Sequence, residues 1–99
     1  MNTDRTNCDK YKGYITHQNI RIPGDQGDFH TIYRFPNGYG ASVIYAIFSQ
    51  GLELAVLYFD GDTPHISTST PITTDVVANI KDAAELEDLL DRIIALKGA

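Results

Sequence analysis

Two neighbouring segments are apolar on both faces of a strand. In residues 40–49, Ala41, Val43, Tyr45 and Ile47 alternate with Ile44, Ala46 and Phe48. In residues 52–59, Leu52, Leu54, Val56 and Tyr58 alternate with Glu53, Ala55, Leu57 and Phe59. Strands apolar on both sides belong in the middle of a sheet. Gln50-Gly51 joins the two as a turn. Asn37-Gly38 precedes the first and Asp60-Gly61 follows the second, and each dipeptide signals a type I′ hairpin, which needs positive φ twice. The pattern therefore predicts an antiparallel meander. Residues 29–35 form its preceding strand, and the Ser/Thr-rich residues 65–70 form a polar edge. Upstream, Tyr14, Ile15, Thr16, Ile20 and Ile22 favour one more extended segment over 11–22, interrupted at His17, Gln18 and Asn19. Residues 23–28 read as a loop on their proline and glycines.

The period changes near the C-terminus. Asp82-Ala83-Ala84-Glu85 has the form of a capping box, and Leu86, Leu89, Leu90, Ile93 and Leu96 follow at helical spacing, with Gly98 suited to end the helix. Projected at 100° per residue, Leu86, Leu90, Ile93 and the stem of Lys97 share one stripe, while Glu87, Asp88 and Asp91 fall opposite. Asp88 and Arg92 stand four apart, a pair worth about 0.2–0.5 kcal/mol. Pro71 closes the sheet region, and Thr73-Thr74-Asp75 offers caps for a short helical turn through Val76, Val77 and Ile80. Residues 1–10 have no apolar period and read as a flexible tail. The fold class is thus α+β: residues 11–99 form a single domain, an antiparallel meander of four to five strands packed by one C-terminal amphipathic helix.

Composition supports a folded core. Of 99 residues, 42% are hydrophobic and 21% charged, too apolar a balance for intrinsic disorder. The longest apolar run, 41–48, falls far short of the roughly 20 residues of a membrane span. The polar first eight residues lack a secretory pattern, which predicts a cytoplasmic protein with no membrane partner. Lone Cys8 has no internal disulfide partner and no electropositive cluster around it, so it reads as an unreactive thiol.

Charge alters the picture more. Residues 1–50 carry five basic and four acidic side chains, a net of +1, whereas residues 51–99 carry three and nine, a net of −6. An acidic half repels nucleic acid at long range and steers toward a basic partner.

Little in the sequence carries chemistry. No Gly-flanked nucleophile elbow occurs. Gly38-Tyr39-Gly40 opens a strand, not a helix, and so fails as a phosphate loop. His17, His30 and His65 lie on separate strands without metal-ligand spacing. Asp25, Asp28, Asp60 and Asp62 read as turn formers, and Glu53 alone does not make a paired-carboxylate site. Tyr33, Tyr39, Tyr45 and Tyr58 could stack bases only beside a basic groove, which an acidic chain lacks. The expectation is no enzyme, no catalytic residue, no metal and no cofactor.

The string Tyr33-Arg34-Phe35-Pro36-Asn37-Gly38-Tyr39-Gly40-Ala41-Ser42-Val43-Ile44 resembles a group of small proteins encoded by bacteriophages and prophages. The likeness continues through residues 51–57, through Thr70-Pro71-Ile72-Thr73-Thr74-Asp75-Val76, and through residues 89–93. It attaches no activity to any residue, but it implies a phage or prophage accessory protein acting inside a bacterium. Charge and setting together suggest a protein-binding inhibitor of a host nucleic-acid-handling defence complex, anti-CRISPR-like. Its acids would mimic DNA phosphates against a basic surface of that complex, with no direct nucleic-acid contact. The partner-binding candidates are Asp60, Asp62, Asp75, Glu87, Asp88 and Asp91. The alternatives are a virion or assembly accessory that self-associates through edge strands near Tyr14 or Ile66, and a small ligand-binding domain. Oligomeric state stays open at this level.

Overall fold

A computed structural model of the protein describes residues 5–18, 29–45, 51–72 and 76–97. The fold is α+β. A 3₁₀ segment, Asp9–Tyr14, leads into β1 (Ile15–His17), β2 (Phe29–Arg34), β3 (Tyr39–Tyr45), β4 (Leu52–Asp60), β5 (Thr63–Ile66) and β6 (Val77–Ile80), and α1 (Ala83–Ile94) follows. All pairings are antiparallel, in the order β1-β2-β3-β4-β5, with β6 also on β4. β5 pairs with residues 57–60 of β4 and β6 with its opposite end at Leu52 and Leu54, so the two follow one another along one side of β4. β3 and β4 take the middle of the strand order, as their apolar sequences predict.

One sheet face makes the core. Tyr33, Ala41, Val43, Leu54 and Val56 are fully buried beneath Leu86, Leu90 and Ile93 of α1, with Leu89 at the margin. Each large aliphatic side chain buried there contributes about 1.5–3 kcal/mol. The helix begins at Asp82, whose carboxylate accepts from the Glu85 N–H at 2.8 Å. Glu85 reaches back one residue further than in the usual box, accepting from the Lys81 N–H at 3.2 Å.

Besides the polar edge, expected over 65–70 and found two residues earlier as Thr63–Ile66 because the Gly61-Asp62 turn starts the strand at once, four sequence expectations differ from the structure. The first is the reading of residues 1–10 as a loose tail: in the described part, 5–10, Thr6 is fully buried and Cys8 joins the core. The cause is a partner distant in sequence. The buried Tyr33 hydroxyl donates to the Thr6 carbonyl at 2.5 Å and accepts from the Cys8 N–H at 2.8 Å, while the Thr6 and Thr31 hydroxyls meet at 2.6 Å. In the same region, Asp9–Tyr14 coils as 3₁₀ helix, so the extended segment begins at Ile15; the rest of that reading, 19–22, lies outside the described residues.

The second concerns Val76, Val77 and Ile80. They were expected in a helical turn, but Val77–Ile80 is strand β6, which adds a sixth strand to the expected four or five. Pairing with Leu52 and Leu54 wins over local capping. Gly51 makes the approach possible, because a Cβ there would stand 2.7 Å from the Ile80 carbonyl oxygen.

The third is turn type. Gly38 has φ 89, but Asn37 is not at positive φ. The Gly38 N–H donates to the Phe35 carbonyl at 3.2 Å, so Pro36 and Asn37 form the centre of a type I turn and Gly38 supplies the left-handed bulge residue. Pro36 favours this, since its fixed φ near −65° suits the first central position of a type I turn and it lacks the N–H that a type I′ turn centred on Asn37 and Gly38 would need for the flanking pair. At the next corner the loop residues are Gly61 and Asp62, flanked by the Asp60–Thr63 pair. Gly61 alone is at positive φ, the pattern of a type II′ turn.

The fourth is Asp91. It was placed opposite the buried stripe, yet it is only partly exposed and faces the 3₁₀ segment.

Candidate functional site

The five candidate acids among the described residues come from α1 and from the β4–β5 corner. Glu87 and Asp88 project from the outer face of α1, and both are exposed. Asp88 pairs with Arg92 at 3.1 Å one turn on. Asp60 and Asp62 sit at the β4–β5 corner, both exposed. Asp62 accepts from Arg34 at 2.8 Å, and the same guanidinium donates to the Gly61 carbonyl at 2.6 Å and lies over the Phe59 ring at 4.7 Å. Arg34 therefore rigidifies this corner and offsets part of its negative charge. Asp75 lies outside the described residues.

Asp91, partly exposed, ties two elements together. It accepts from Lys10 Nζ at 2.8 Å and from the Tyr11 hydroxyl, a node that fixes the 3₁₀ segment to α1. Hydrogen bonds from Lys10 and Tyr11 hold the Asp91 carboxyl below its ordinary range. Burial, with the Asp91 hydrogen bond second, pushes the Tyr11 phenol up to about 12. The Asp91 hydrogen bond raises the Lys10 ammonium. Sequence alone concealed this node because its partners lie some eighty positions apart. Of the candidates, Glu87 with Asp88 and, at the β4–β5 corner, Asp60 with Asp62 remain exposed on the described surface.

Among the described residues two imidazole–hydroxyl pairs occur, and one of them, His17 Nδ1 with the adjacent Thr16 Oγ1 at 3.0 Å, is exposed. On the sheet face away from α1, His30 Nε2 and Ser42 Oγ stand 2.6 Å apart across β2 and β3. Burial, with a smaller contribution from nearby His17, lowers the His30 pKa and favours the neutral ring. Among the described residues no acid is hydrogen-bonded to His30, so the orienting third member of a triad does not appear there. No group of three His, Cys, Asp or Glu side chains gathers for a metal among the described residues.

A cleft of about 420 Å³ runs along the N-terminal segment, lined in part by Cys8, Lys12, Thr16 and His17. Burial raises the Cys8 pKa, so the thiol stays protonated at neutral pH and is a poor nucleophile. Among the described residues no helix is long and apolar enough to cross a membrane.

Comparison with family models, curated proteins and solved structures gives no match to this chain.

Proposed function

We propose that this chain is a small phage- or prophage-encoded protein that binds and inhibits a host nucleic-acid-handling defence complex, in the manner of an anti-CRISPR protein. The observation that carries the reading is the outer face of α1. Glu85, Glu87 and Asp88 are exposed there on a helix anchored from beneath by four leucine and isoleucine side chains. Carboxylates on a rigid helix present negative charge at fixed spacing, which suits a basic channel built for phosphates. The charge asymmetry of the chain points the same way, since residues 51–99 carry its net negative charge. The binding role is assigned to Glu87 and Asp88, with Asp60 and Asp62 as a second contact. Asp91 is withdrawn from it, because Lys10 and Tyr11 both engage its carboxylate, which is only 38% exposed, whereas Asp88 and Asp62 each have one ion-pair partner and stay 59% and 99% exposed.

The test is affinity capture from a bacterial host lysate with the tagged full chain, followed by Glu87→Lys/Asp88→Lys. The reading predicts a captured nucleic-acid-handling complex that the double variant no longer retains. Equal capture by both proteins contradicts it.

A further inference from the structure

We propose that two copies of this chain pair through β5, antiparallel about a two-fold axis at Ile66, so that their sheets become one. The inference is independent of the proposed function. β5 is hydrogen-bonded to β4 on one side and to no strand on the other among the described residues. All four of its residues are exposed, Ile66 at 62%. Of the devices that ordinarily blunt an unpaired edge, β5 has a short length and one proline, but no charged side chain and no bulge. From Thr63 to Thr70 this edge has no charged side chain, so two chains of net charge −5 can meet there without opposing carboxylates.

The backbone register fits itself. The Ser67 N–H donates inward to the Val56 carbonyl at 2.8 Å, and Asp60–Thr63 closes the two-residue corner. Odd-numbered residues of this edge therefore point their backbone groups at β4, and even-numbered ones point theirs outward. Ile66 presents an outward N–H and an outward carbonyl, which is what a self-paired residue on a two-fold axis exchanges with its copy. Pairing Ile66 with Ile66 sets Pro64 opposite Thr68. The Pro64 carbonyl then accepts from the Thr68 N–H of the second copy, and the donor that proline lacks costs one bond per side. Ile66 lies on the same sheet face as Leu57. Across the axis, both copies' Ile66 side chains would meet in a continuous apolar strip.

Sedimentation velocity on the full chain across the micromolar range tests the pairing. The wild type should be a dimer. Ile66→Lys, which places two ammonium groups at the axis, should raise the dimer dissociation constant at least about tenfold. Ile66→Pro removes only an outward donor and should act likewise, with far-UV circular dichroism confirming that each variant stays folded. Directly opposed hydrogen-bonded residues lie about 5.5 Å apart at Cα, within disulfide reach. Ile66→Cys should therefore form a disulfide-linked dimer under mild oxidation, and the inward-bonded Thr63→Cys should not. A wild type that stays monomeric, or a dimer unaffected by both Ile66→Lys and Ile66→Pro, would overturn the proposal.

Discussion

The Asn37 side-chain amide donates to the Ile93 carbonyl at 2.9 Å, so the β2–β3 turn caps the C-terminus of α1. The same Nδ2 reaches the carbonyls of Ile94 at 3.2 Å and Leu96 at 3.0 Å, and Asn37 Oδ1 accepts from the Tyr39 N–H at 3.0 Å. Helix ends leave carbonyls without intrahelical partners, and here a hairpin 56 residues away satisfies them. Sheet and helix are therefore locked at one end by a single side chain.

Asn37→Ala should destabilise the fold by about 1–2 kcal/mol, since it strands part-buried carbonyls. Asn37→Asp should cost more, because a carboxylate at a helix C-terminus meets the negative end of the dipole. Urea unfolding of the two variants beside the wild type measures both the loss and its order.

Acid should loosen the N-terminal segment through Asp91. Its folded pKa is depressed by Lys10 and Tyr11, so its contribution to stability is fully present above its unfolded value, near 4. That contribution is lost as pH falls through the lower folded value. Lys10 and Tyr11 have raised folded pKa values, so their share is complete below their unfolded values near 10 and disappears at higher pH, for Tyr11 toward about 12. Urea midpoints followed from neutral pH downward should fall below pH 4, and Asp91→Asn should flatten that fall.

Much of this architecture was legible in the sequence, and the exceptions other than the turn types share a cause. β3, β4 and α1 declared themselves because each carries its own period and, for α1, its own cap in Asp82. β6 did not, because Val77–Ile80 becomes strand only by meeting Leu52 and Leu54, and Asn79 within it takes a φ of 59, which asparagine tolerates but which does not signal a strand. Thr6, Cys8 and Tyr11 looked like tail for the same reason, since Tyr33 and Asp91 hold them across long sequence separations. The carboxylates were legible as charge but not as roles. Sequence placed Asp91 beside Glu87 and Asp88, and only the approach of the 3₁₀ segment separates it from them.

Gly40 should accept no side chain. A Cβ at this position would lie 2.0 Å from the Tyr33 carbonyl oxygen and 2.8 Å from Phe59 Cε1. The first of these is backbone in the paired strand, so relief requires β2 and β3 to part. Gly40→Ala should cost about 1–3 kcal/mol or more by overpacking, seen as a lowered thermal midpoint.

Leu90 is fully buried at the centre of the helix–sheet contact. Leu90→Ala should destabilise by about 2–5 kcal/mol, through lost burial plus the cavity left behind. Exposed Glu87→Ala should change the same midpoint by less than about 0.5 kcal/mol. Thermal denaturation of the pair thus separates the face that holds the fold from the face assigned to binding.

The most direct measurement is the affinity of the purified chain for the complex it captures, determined against salt for wild type and for Glu87→Lys/Asp88→Lys. The account predicts wild-type binding that weakens as salt rises, and a double variant that stays folded with a slightly lowered thermal midpoint, having lost the Asp88–Arg92 pair, and whose binding is lost. Binding of equal strength in the two proteins, insensitive to salt, would contradict an acidic helix face as the contact.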